Sequence, residues 1–248
     1  MSSGTTGRQA SELPVKDPGR YLHHAERCFE HFFGNLENYR FYALLPSYLE
    51  RGNSSLVFMI DHFIKKSHSP APGFYLNNVD DLLRDLAADD EKGRKPILWG
   101  VAFALLDLAE RYHPDLSHCM VFETGGMKGR RQEIIRLELH SNLREAFGVQ
   151  AVFSEYGMTE LFSQAYSRGG SAFFCPPWMK MIARDITDPF AKGLLNETGG
   201  INVIDLANAD SIAFIETEDI GKVYEDGSFE ILGRLDNTDV RGCNLMVQ

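Results

Sequence analysis

The stretch Ser154-Glu155-Tyr156-Gly157-Met158-Thr159-Glu160 brings an aromatic ring, a hydroxyl and a carboxylate together where a strand pattern gives way to a loop. The Tyr156 ring can stack on a purine and Gly157 lets a backbone approach a ligand closely. Thr159 can bond a phosphate oxygen, and Glu160 offers magnesium a hard oxygen ligand. These are the parts of a nucleotide site. Taken alone they also suit an ordinary strand end with a buried tyrosine and a solvated glutamate. Two other stretches bear on the choice. The hydroxyl and glycine run Ser2-Ser3-Gly4-Thr5-Thr6-Gly7 can wrap N–H groups and hydroxyls around a phosphate, although such runs also serve as flexible termini. Thr124-Gly125-Gly126-Met127-Lys128-Gly129 is a glycine-rich turn after a strand pattern, the place where ligands bind in open α/β sheets and where plain strand-to-helix turns also favour glycine.

Strands and helices must position these turns. Asp17-Pro18 pairs an N-cap with proline at the first helical position. Tyr21, Leu22, Ala25, Cys28, Phe29, Phe32 and Phe33 then recur at helical spacing up to Gly34, with His23, His24 and His31 mostly on the wet side. An apolar run covers 39–45, Ser54 or Ser55 caps a helix through Ile64, and Asn78 caps another through Leu86. Residues 96–101 read as a buried strand, 103–112 as a helix and 118–123 as a strand. The glycine-rich turn then leads into a helix over about 131–147, and a strand over 149–154 runs into Tyr156, so the two turns are expected side by side. This alternation predicts the α/β class, with mixed sheets and flanking helices. From Ser171 the texture becomes β-rich, with strands expected over 172–175, 179–185, 200–206 and 211–217 and a hairpin, 222–224 with 228–232, about Asp226-Gly227. The acidic residues Asp80, Asp81, Asp85, Asp89, Asp90 and Glu91 read as the wet face of a helix.

Composition narrows the function classes. A chain of 248 residues with 44% apolar and 24% charged residues can bury a sizeable core, and no uninterrupted apolar run is long enough to span a membrane. The first residues have neither a basic nor an apolar signal segment, which makes a cytoplasmic location the expectation. Cys28, Cys119, Cys175 and Cys243 are scattered, against a disulfide framework or a paired-cysteine zinc site. The net charge of −10 disfavours nucleic acid, and neither His-Glu-x-x-His nor Gly-x-Ser-x-Gly is present.

The loop at 2–7, the double glycine Gly125-Gly126, Tyr156 to Glu160, Thr217-Glu218-Asp219 and Gly233-Arg234-Leu235-Asp236 stand in one order along the chain. With them the chain resembles adenylate-forming enzymes. The resemblance implies that Ser2, Ser3, Gly4, Thr5, Thr6 and Gly7 hold the β- and γ-phosphates of ATP, that Gly125, Gly126 and Met127 line the adenine, and that Tyr156 stacks on it beside Gly157. It gives Thr159 the α-phosphate, Glu160 the magnesium, and Asp219 the ribose hydroxyls with help from Arg234. Ser-Ser-Gly-Thr with Pro14 and Lys16-Asp17, Gly-Gly-x-Lys at 125–128, Pro176-Pro177-Trp178 and Gly242-Cys243 look more narrowly like the acyl-protein synthetase family of the luminescence fatty-acid reductase complex (LuxE-like). In that family a cysteine near the C-terminus receives the acyl group, and Cys243 matches it.

This resemblance implies chemistry in which a carboxylate, one anion, attacks the α-phosphorus of ATP, another, so charge must be neutralised first. Magnesium on Glu160, the loop N–H groups and Lys128 or Arg8 would share that task. The Cys243 thiolate, its pKa lowered by Arg241, would then take the acyl group for delivery to an acyl-CoA reductase-type partner. The expected organisation is an adenylation domain over 1–232, shorter at its start than the family, and a hinge-like tail over 233–248 with no mobile C-terminal domain after it. An uncovered sheet edge would favour a homo-oligomer. Tyr-Gly-Met-Thr-Glu itself looks more like carboxylate-CoA ligases such as the phenylacetate-CoA ligases, which leaves coenzyme A open as the acceptor; a nucleotide-binding remnant without catalysis is the third reading.

Overall fold

Asp17 is held in extended backbone and its carboxylate accepts the Gly19 N–H at 2.9 Å, so α1 (Pro18–Phe33) begins with a satisfied cap and proline at its first position. It ends at Gly34, whose φ of 84° a side chain rarely adopts. The computed structural model describes residues 13–45, 54–69, 73–76, 78–88, 93–125, 134–188, 190–191 and 193–235. After α1 come β1 (Tyr39–Leu44), α2 (Ser55–Lys66), β2 (Phe74–Tyr75), α3 (Val79–Ala87), β3 (Lys95–Gly100), α4 (Ala102–Tyr112), β4 (Met120–Glu123), α5 (Arg136–Phe147), β5 (Val152–Tyr156), β6 (Ala165–Ser167) and β7 (Phe173–Phe174). Then follow β8 (Met179–Arg184), β9 (Thr198–Asp205), β10 (Phe214–Val223) and β11 (Phe229–Arg234). The chain forms two compact units, Met1–Pro176 and Pro177–Gln248.

In the first unit the strands lie in the order β2-β1-β3-β4-β5-β6-β7, parallel through β5 and antiparallel beyond it. Parallel strands are buried on both faces, which is why 97–101 and 120–122 read as unbroken apolar runs. Register places Trp99 beside Phe122 and Phe122 beside Phe153. Their rings stack at 4.7 and 5.1 Å, and Phe29 and Phe33 of α1 pack against this row, so α1 covers that face. The expected helix over 131–147 starts at Arg136, because Ile135 is still extended. Asn78 does precede α3, yet its side chain accepts from the Leu76 N–H at 3.0 Å and not from the helix. The acidic face of α3 is only partly wet: Asp85 accepts the buried Tyr75 hydroxyl at 2.7 Å. Asp89, Asp90 and Glu91 lie outside the described residues.

The second unit is antiparallel, in the order β11-β10-β9-β8. The hairpin about Asp226-Gly227 forms as expected: Gly227 has φ 82° and Asp226 accepts the Ser228 N–H and hydroxyl. The strands expected over 211–217 and 222–224 are one, β10, with an irregular register against β9 between Glu216 and Ile220. At this irregularity the buried Thr217 hydroxyl donates to the Ile201 carbonyl at 2.7 Å and accepts the Asp219 N–H at 3.1 Å. The polar run 216–219 therefore hides the strand's alternation without ending the strand. Arg184 ties the same place together, donating to the carbonyls of Ile201 and Thr217 and to Asn202. Among the described residues no helix is long and apolar enough to cross a membrane.

Candidate functional site

The ends of β4 and β5 are neighbours in register, Glu123 beside Ser154, so the turns that follow them leave the sheet together. Side chains alternate across a strand, and the two faces carry different acids. On the α5 face the Glu123 carboxylate, 3% exposed, accepts the Ser154 hydroxyl and the Gly125 N–H at 2.7 Å, with His140 Nε2 at 3.4 Å and Arg136 Nε at 3.9 Å. Burial works to raise its pKa, but the His140 and Ser154 hydrogen bonds, the Arg136 charge and the Gly125 N–H outweigh it and hold the carboxyl below its ordinary value. Arg136 is itself seated by the Ser171 carbonyl at 2.8 Å and by the Phe173 ring at 4.0 Å.

On the α1 face stands Glu155, buried and accepting the Thr124 hydroxyl. Burial is the main force on it, opposed by the Thr124 hydrogen bond and reinforced by Glu123, and its pKa rises from the ordinary 4.5 to about 7. The folded chain therefore holds this proton more tightly than the unfolded one. Stability is unaffected by Glu155 below its unfolded value, falls as pH rises from there to about 7, and stays lowered above it. The gap between 4.5 and about 7 corresponds to at most about 3 kcal/mol. Glu155→Gln is accordingly expected to raise the urea midpoint relative to the native protein at pH 8 and to leave it unchanged at pH 4.

Gly125 stands at φ 57°, a backbone conformation that side chains rarely adopt, and among the described residues no atom lies within 4 Å of where a Cβ would stand. Gly157 is different: a Cβ there would collide with the Glu155 carboxyl. The Tyr156 ring is half-buried, with Phe173 at 5.8 Å. Thr159 and Glu160 lie half-buried in a turn closed by the Leu161 N–H on the Met158 carbonyl at 3.1 Å and anchored by fully buried Leu161. Magnesium is commonly held by one or two carboxylates plus substrate phosphates, and a single rim carboxylate such as Glu160 fits that demand. In the second unit Asp219 and Arg234 are cross-strand partners, with Arg234 Nε 3.3 Å from Asp219 and Nη2 3.3 Å from Glu218. Ser2, Ser3, Gly4, Thr5, Thr6, Gly7, Gly126, Met127, Lys128 and Cys243 lie outside the described residues.

Solved structures share this fold. MatB from Rhodopseudomonas palustris with ATP bound superposes with a TM-score of 0.64 at 18% identity, over 94% of this chain and 47% of that one. A malonyl-CoA ligase holding methylmalonyl-CoA and AMP gives 0.61 at 19% identity, over 94% of this chain and 52% of its own. The o-succinylbenzoate coenzyme A synthetase MenE from Bacillus subtilis, in complex with AMP, gives 0.61 at 19%, over 94% and 48%. The chain thus has the mixed α/β fold of adenylate-forming ligases and spans about half the length of these structures. No protein-family model matches it, and no curated protein matches it in sequence.

In the sequence Glu155 and Thr124 stand out only as members of their motifs, and no motif singles out Glu123, Arg136 or His140. A signal was there. An acid closing an apolar strand just before a turn, as Glu123 does before Thr124-Gly125 and Glu155 before Tyr156-Gly157, cannot be solvated by position and must find donors.

Proposed function

We propose that this chain carries the nucleotide-binding part of an enzyme that activates a carboxylic acid with ATP and passes the acyl group on. What supports the reading most is the pairing of the two strand-end turns, one led by Thr124-Gly125 and the other by Tyr156, in a fold shared with ligases holding ATP or AMP. In this reading the backbone at Gly125 and the Tyr156 ring receive adenine, Thr159 meets the α-phosphate, and Asp219 with Arg234 takes the ribose. Glu160 would hold magnesium, which supplies positive charge to the phosphates while the carboxylate approaches. A carboxylate oxygen bonds to the α-phosphorus, the bond to pyrophosphate breaks, and an acyl-adenylate results. The LuxE-like resemblance then assigns the next step to Cys243: its thiolate attacks the acyl carbonyl and AMP departs. The substrate would be a fatty acid and the final recipient a reductase-type protein.

The relatives in fold include coenzyme A ligases, which favours coenzyme A as a second candidate acceptor. Intact-mass spectrometry separates the two. Incubation with ATP, magnesium and a panel of fatty acids is expected to add an acyl mass that hydroxylamine removes and that Cys243→Ala abolishes. Pyrophosphate release that requires coenzyme A, with no adduct, would transfer the assignment to a coenzyme A ligase. Neither signal, with ATP still bound, would leave nucleotide binding without catalysis.

A further inference from the structure

The turn at Thr124-Gly125 is held from both faces of the sheet by different acids. Glu123 reaches it from the α5 side through the Gly125 N–H, and Glu155 reaches it from the α1 side through the Thr124 hydroxyl. The two acids are not equivalent. Glu123 has His140, Ser154 and Arg136 to stabilise its charge. Glu155 is faced by Glu123 from β4, by Tyr21 from α1 and by Tyr166 from β6, and Cys28 of α1 stands beside both tyrosines. None of these is a cation. Tyr166 is the cross-strand neighbour of Glu155, and its buried hydroxyl has no hydrogen-bond partner among the described residues. The Glu155 carboxyl also fills the space over Gly157, so one group touches the turn after β4 and the turn after β5 at once.

We propose that Glu155 is a positioning residue that latches the Thr124-Gly125 turn to the Tyr156-Gly157 turn in its protonated form, and that loss of the proton loosens the latch and weakens nucleotide binding. A neutral acid accepts the Thr124 hydroxyl without placing a second charge beside Glu123. An ionised one would accept the Thr124 hydroxyl more strongly, but its charge would be buried beside that of Glu123 with no cation facing it among the described residues, and movement of either turn toward water relieves that larger cost. The pKa of about 7 puts the change where it can be followed near neutrality. The consequence for ligands rests on the nucleotide reading above; the latch itself does not.

Two readouts keep these apart. The first is amide hydrogen exchange of Thr124, Gly125 and Gly157 in the protein without ligand. The second is binding of adenosine, which carries no group that titrates between pH 6 and 8, followed by saturation-transfer NMR. In the native protein the protection of these amides, the base-catalysed exchange rate of the unfolded chain relative to their own at the same pH, is expected to fall through a single step near pH 7, with adenosine Kd rising on the order of fivefold to tenfold between pH 6 and 8. Glu155→Gln is expected to remove both steps and keep the pH 6 affinity throughout. Thr124→Val keeps the acid but deletes the donor, and it is expected to show fast exchange and weak adenosine binding at both pH values. An exchange step that survives Glu155→Gln, or adenosine binding with the same pH profile in both proteins, would overturn the latch. An exchange step with no adenosine binding at any pH would instead overturn the nucleotide reading, and with it the effect on affinity, while supporting the latch.

Discussion

Glu123→Ala is expected to cost about 3–5 kcal/mol of folding stability, the range seen when one member of a buried charged network is removed. The size follows from what stays behind. The Gly125 N–H, the Ser154 hydroxyl and the Arg136 guanidinium lose a common acceptor, and among the described residues His140 keeps only Ser154, at 3.1 Å. Because Ser154 and His140 are buried, water cannot readily replace the carboxylate. Glu123→Gln preserves shape and can still accept from Gly125 or Ser154, so its loss should be smaller, about 1–3 kcal/mol. The effect also has a pH signature. Glu123 is held below its ordinary pKa, so its contribution is fully present above the unfolded value and disappears as pH falls through the folded one. Urea unfolding of the native and Ala forms at pH 7 and pH 3 checks this: a difference that does not shrink in acid would mean that packing, and not the charge, is what Glu123 contributes.

The strands were readable because burial leaves a mark in the chain. Residues 97–101 and 120–122 are apolar throughout since both their faces are covered, and Asp17-Pro18 and Asp226-Gly227 carry their local geometry in their own side chains. Other features have no local mark. Strand β6 is short and amphipathic in no fixed period, and it exists because the edge of β5 needs a partner. The break in β10 at 216–219 looks like a loop to any reading by alternation, since the partners that satisfy it come from across the sheet: Arg184 donates to the Thr217 carbonyl, and the Ile201 carbonyl accepts the Thr217 hydroxyl. The site divides the same way. Tyr156 and Gly125 announce themselves by type and spacing; the roles of Glu123 and Glu155 depend on which face of the sheet each occupies and on β4 lying against β5, and those are tertiary facts.

Glu160→Gln is expected to lower ATP–pyrophosphate exchange by about 100- to 1000-fold, since a metal ion placed on the phosphates is worth several kcal/mol to charge development in the reaction. The change is nearly isosteric and falls on a half-buried side chain at the rim of a turn whose anchor, Leu161, is fully buried. Folding should therefore survive it. Among the described residues Glu123 is committed to four donors and Glu155 is buried beside Thr124, whereas Glu160 is half-buried in the turn after β5, within reach of solvent. If Glu160 holds magnesium, the variant needs a higher magnesium concentration for half-maximal exchange while its affinity for adenosine is unchanged. Exchange within threefold of the native rate at limiting magnesium would remove Glu160 from that role. A loss of adenosine binding as well would show that the residue shapes the base site, and not the metal.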